Sequence, residues 1–168
     1  MVPPTQQRPG GQPGKGGRHG SGGGPADGGA AGPPRRLPEP RPIEYFAKAA
    51  PTALNPQLVD DDARKLAEEI GDVPASQIRR FYADVSAFDR RLAADPKMPK
   101  EAIQAQMGLL KAKAAYARGR KTITEPMLQF FVDHAAAVKD RKDFDAFRRV
   151  FEAVIAYHKF YEVKQRRD

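Results

Sequence analysis

Apolar positions recur along residues 55–168 at helical spacing, and no segment alternates as a strand would. Asn55-Pro56 supplies a cap residue followed by proline at the first helical position, and Val59, Ala63, Leu66 and Ile70 then follow at steps of four, three and four until Gly71. This predicts a first helix with an acidic opposite face. Ser76 stands before Ile78, Phe81, Tyr82, Val85, Phe88 and Leu92, a second helix that ends ahead of Asp95-Pro96. Pro99 opens a third, with Ile103, Met107, Leu110, Ala114 and Ala117 as its core stripe and an end near Gly119. Thr124 and Pro126 start a fourth, in which Met127, Phe130, Phe131, His134 and Val138 share a face. Asp143 is read as the cap of the last helix, whose Phe144, Phe147, Val150, Phe151, Val154, Ile155 and Tyr161 make a band wide enough for a largely buried element. Residues 43–54 are short and interrupted by proline, and are read as a linker or short helix. About five helices joined by short connections predict an all-α bundle over residues 55–168.

Composition divides the chain in two. Residues 1–42 carry 12 of the 15 glycines, 10 of the 16 prolines and only six apolar residues. Such a segment cannot bury enough surface to offset the entropy of ordering its backbone, so a disordered Gly/Pro-rich tail is expected. It reads as a flexible extension, with a loose auxiliary RNA contact as the other reading. The remaining 126 residues hold 61 of the 67 apolar positions, enough for one domain with its own core. The absence of cysteine excludes disulfide frameworks, thiolate zinc sites and cysteine nucleophiles, and agrees with a cytoplasmic chain. No stretch approaches the roughly 18 apolar residues of a membrane span, and no apolar region follows the first basic residues as in a secretory signal. No membrane partner is expected.

Catalytic chemistry finds little support. His19, His134 and His158 show neither His-x-x-x-His nor Glu-x-x-His spacing, so no metal site and no cofactor are expected. His134 and His158 lie on or beside apolar stripes and read as core or boundary histidines. Asp60, Asp61 and Asp62 could be imagined on magnesium, but carboxylates in the first turn of a helix are favoured by its dipole. The glycines of the tail follow no strand and include no phosphate-cradling motif. The chain is read as having no enzymatic activity.

The cations are more informative. The net charge of +8 divides equally between residues 1–42 and 43–168, so any case for nucleic acid rests on where the domain's cations lie. On the third helix Lys113, Tyr116 and Arg120 are three and four residues apart and share one face, flanked by Lys111, Arg118 and Lys121. Arg79 and Arg80 point away from the second helix's apolar stripe, and Arg148 and Arg149 do so on the last. Spaced cations on a rigid scaffold suit phosphate contacts that read no base sequence. Solvated helix faces and local pairs such as Arg148 with Glu152 are the competing reading.

Three blocks in order resemble one family. Ser76-Gln77-Ile78-Arg79-Arg80-Phe81-Tyr82, then Leu110-Lys111-Ala112-Lys113-Ala114-Ala115-Tyr116-Ala117-Arg118-Gly119-Arg120, then Phe147 to Tyr161 with its Glu-Ala, Ala-Tyr and Lys-Phe-Tyr pattern, are similar to the small subunit of the type III-A CRISPR (Csm) effector complex. The resemblance spans residues 76–161 and leaves residues 1–54 outside. It implies a non-catalytic helical subunit, repeated along a ribonucleoprotein that carries a CRISPR RNA and captures target RNA in antiviral defence. It further implies contacts with copies of itself and with the backbone and large subunits. Arg79, Lys111, Arg120 and Arg149 are its candidates for RNA or subunit contacts; Arg80 and Arg118 lie in the same blocks, and Lys113 and Lys121 are added from the helical ridge. Arg79 and Arg149 have a structural reading as well, bonded to helix carbonyls or a neighbouring acid. Tyr116 and Tyr157 are read as core packing in preference to base stacking. A stand-alone helical RNA-binding module, or an adaptor whose basic face meets an acidic protein, is the alternative.

Overall fold

The computed structural model describes residues 36–165, and the expected disorder of residues 1–35 lies outside them. The described chain runs β1 (Phe46–Ala47), β2 (Ala50–Leu54), α1 (Pro56–Val59), α2 (Asp61–Glu69), α3 (Ala75–Ala94), α4 (Lys100–Gly119), α5 (Glu125–Ala137) and α6 (Arg141–Gln165). Since α1 is a single turn, five longer helices make an all-α bundle, as the periodicity predicts.

Local chemistry explains most boundaries. The Asn55 side chain accepts the Gln57 N–H at 3.1 Å, and Pro56 occupies the first helical position. The chain then breaks at Asp60 (φ −112°, ψ −91°), so the single helix expected from Asn55 to Gly71 is two, α1 and α2. At the end of α4, Lys121 N–H bonds Arg118 O and Thr122 N–H bonds Ala117 O, both at 3.0 Å. This is a Schellman closure, with Lys121 at φ 58° in the left-handed position that glycine usually takes. The cap of α6 is Asp140, not Asp143. The helix begins at Arg141, Asp140 Oδ1 accepts the Asp143 N–H at 3.0 Å, and Asp143 Oδ2 instead accepts the Lys139 N–H at 2.9 Å.

The predicted stripes form the core. Ile78, Phe81, Val85, Phe88 and Leu92 of α3, and Ile103, Met107, Leu110, Ala114 and Ala117 of α4, are all buried. Their centre is aromatic. Phe131 stacks on Phe81 with centroids 4.6 Å apart and meets Phe130 and Phe151 edge to face at 5.4 and 5.6 Å. Packing α6 along α2 and α5 along α4 closes the bundle.

Residues 43–54 correct the sequence reading. Where a linker or short helix was expected, the chain makes an antiparallel hairpin pairing Phe46 with Leu54 and Ala47 with Ala50. Pro51 is a poor helix residue but is tolerated on such an edge strand. Lys142 of α6 pins the hairpin, its Nζ 4.0 Å from the Phe46 ring centroid and donating to Pro51 O at 2.9 Å.

The segment just before it, counted with the tail in the sequence, is held against α5. Pro38, Pro40 and Pro42 keep residues 38–42 extended. Gln129 Nε2 donates to Glu39 O at 2.9 Å, and Arg41 donates to the buried Asp133 carboxylate from its backbone N and from Nε, at 2.7 and 2.9 Å. A buried carboxylate needs such donors to offset its lost hydration. Tyr45 Oη lies 2.6 Å from His134 Nδ1. Burial, with the charge of Asp143, pushes the Tyr45 phenol up, so it stays protonated, and the imidazole tautomer sets which of the two groups donates. Burial lowers His134 to about 3, so the ring is neutral. His158 is buried too, and its Nε2 has no hydrogen-bond partner among the described residues.

Candidate nucleic-acid interface

The outer face of the bundle is built on α3, flanked by α4 and α6. Lys113 of α4 bonds Asp84 of α3 and lies 5.5 Å from the Phe81 ring centroid, which sets the first turns of α3 beside the later half of α4. On the other side, Tyr82 donates to Glu152 of α6 at 2.9 Å, and Arg148 Nε approaches Asp89 at 3.6 Å.

The eight cations singled out in the sequence fall into two groups on this scaffold. Lys113, bonded to Asp84, and Arg118, bonded through Nε to Glu125 at 2.8 Å, are spent on joining helices. Arg79, Arg80, Lys121 and Arg149 are exposed, Lys111 is half-buried, and none of the five has an ion pair within 4 Å among the described residues. Arg120 is exposed and directed to Tyr116, its guanidinium 5.8 Å from the ring centroid and Nη1 donating to Oη at 3.2 Å. The ridge of Lys113, Tyr116 and Arg120 is therefore present, with its first cation committed to α3. Arg148 bonds Glu152 at 2.6 Å, the local pair that the i,i+4 spacing offers.

Beyond Glu101, α4 carries no acid of its own, although Asp84 of α3 meets its Lys113. Residues 102–124 contain Lys111, Lys113, Arg118, Arg120 and Lys121 and no Asp or Glu. Sequence reasoning missed two features here. It read Tyr116 as packing, whereas 65% of the residue is exposed. The signal was available, because Ala114 is on the buried stripe and Tyr116, two residues on, is turned about 200° from it. It also had no signal for Asp84 and Glu125 as partners of ridge cations, since both pairs join different helices. Tyr157, the other tyrosine read as packing, is partly buried and donates to Asp60 at 2.8 Å.

Elsewhere, a cleft of about 470 Å³ lies among residues 41–44, α1, α2, α5 and α6, with Leu58, Asp62, Phe130 and Val154 in its lining. Its deeper polar groups are already engaged, Asp133 by Arg41 and Gln129, His134 by Tyr45. Of the acidic triplet, Asp60 accepts from Tyr157 and Asp61 pairs with Arg64 at 3.1 Å. Among the described residues no group of three or more His, Asp or Glu could hold a metal ion.

These features define a helical scaffold protein whose outer face carries, on α3, on α6 and at the end of α4, exposed cations with no ion pair among the described residues. The chain belongs to the Csm2 Type III-A family, whose model matches residues 53–164. It is a small subunit of the type III-A Csm effector complex and functions among that complex's other subunits. No curated protein and no solved structure matches the chain. No helix among the described residues is long and apolar enough to cross a membrane. The segment that clasps α5 and most of the hairpin lie outside the matched region.

Proposed function

We propose that this small subunit is non-catalytic, works in the cytoplasm, and lines the channel of guide and target RNA with the face formed by α3, α4 and α6. In this reading Arg79, Arg80, Lys111, Arg120, Lys121 and Arg149 meet RNA phosphates, while Lys113 and Arg118 hold the helices that present them. Neighbouring copies and the backbone and large subunits cover other faces. The observation that carries the reading is the set of six cations without an acidic partner among the described residues, three of them within a 23-residue stretch that has no acid at all. Cations left unpaired on a rigid surface attract a polyanion, and phosphate contacts position RNA without reading it. Sequence is then read by base pairing between guide and target.

The test is target-RNA binding by the assembled complex across a salt series. Arg79→Ala with Arg80→Ala is expected to weaken binding about equally for different target sequences, and to lower the slope of log affinity against log salt by roughly one unit per lost contact. Unchanged affinity and slope in an intact complex would remove this face from the RNA.

A further inference from the structure

We infer that Tyr116 is a stacking platform for an unpaired RNA base, held ready by Arg120. The inference rests on the reading of this face as RNA-contacting and adds a contact of a different kind, to a base instead of a phosphate. Tyr116 is 65% exposed on a 20-residue helix whose opposite side is core, so the ring has no packing task yet sits on a rigid support. Its neighbours leave it accessible. Ala112, one turn earlier, is exposed, and Gly119, three residues later, would meet nothing within 4 Å even if it carried a Cβ. Arg120 bonds the phenol oxygen and brings a guanidinium to the ring, which restrains the side chain and sets a positive charge beside the place where a base would lie.

An exposed tyrosine could also serve a protein partner, and Leu109, equally exposed two turns earlier on the same stripe, would suit one. The charge decides for RNA, because the cation beside the ring is Arg120, followed by the exposed Lys121, and neither has an ion pair among the described residues, while residues 102–124 supply no acid of their own. A polyanion with flat apolar faces satisfies both halves of the site, and aromatic stacking of this kind accepts any base.

The experiment uses the full chain and fluorescence anisotropy at moderate salt, with two probes of equal length: a 12-nucleotide oligouridylate and the same ribose-phosphate chain without bases. Wild type is expected to bind the oligouridylate more tightly. Tyr116→Ala should lose about tenfold on the oligouridylate and nothing on the abasic chain. Tyr116→Phe, which keeps the ring, should stay within about twofold of wild type. Circular dichroism on each variant confirms the helical fold. Equal binding of both probes by wild type, or a Tyr116→Ala loss that is absent or the same on both, overturns the platform and leaves the phosphate contacts standing. If Tyr116→Ala changes sedimentation of the protein while RNA binding is intact, the stripe is a protein contact and the inference fails. If wild type binds neither probe, the RNA reading of the whole face falls with it.

Discussion

Replacing Phe131 by alanine is expected to destabilise the fold by about 3–5 kcal/mol, the cost of emptying a large aromatic site that its surroundings cannot refill. Phe131 is fully buried, and its ring joins three helices, stacking on Phe81 of α3 and meeting Phe151 of α6 from its own place on α5. A loss of that size takes a large share of the roughly 5–15 kcal/mol that holds a domain folded. Urea unfolding should show a much lower midpoint with little change in slope. Phe160→Ala is the internal comparison: that ring is 63% exposed, and its removal should change stability by less than about 0.5 kcal/mol. Similar midpoints for the two variants would mean that the aromatic centre is not where the stability lies.

Acid should weaken the domain through His134 as soon as pH falls below about 6.5. The buried ring stays neutral down to about pH 3, whereas in the unfolded chain a histidine takes up its proton near pH 6.5. Below about pH 6.5 the unfolded state therefore binds more protons. The stabilisation from His134 is complete above that pH and is lost as pH falls toward 3, at up to about 1.4 kcal/mol per unit. Between pH 6.5 and 5 this amounts to roughly 2 kcal/mol. In His134→Gln, which keeps a hydrogen-bond partner for the Tyr45 hydroxyl, the urea midpoint should vary much less over this window. Parallel curves for the two proteins would show that His134 does not carry the effect.

The features that were legible in the sequence are those set by neighbours along the chain. Ile78, Phe81, Val85, Phe88 and Leu92 announce both a helix and its buried side, because each is one turn from the next. Asn55-Pro56 marks the first helical turn for the same local reason. The clasp on α5 was not legible, since Arg41 is 92 residues from the carboxylate that orders it. The hairpin escaped because Ala50, Pro51, Thr52 and Ala53 of β2 are all exposed, so no burial imposes alternation on them. At the interface, the spacing of Lys113, Tyr116 and Arg120 gave their common face. Which cations remain unpaired depends on cross-helix acids, Asp84 for Lys113 and Glu125 for Arg118, that no periodicity displays.

The most direct test of the RNA-facing surface is ultraviolet crosslinking of the complete effector complex on target RNA, with the attached peptides of this subunit read by mass spectrometry. The account predicts adducts in the segments that hold Arg79 and Arg80, residues 111–121 and Arg149. Adducts confined to α2 or to residues 36–54, with none on α3, α4 or α6, would place the RNA on the opposite side of the subunit and contradict it.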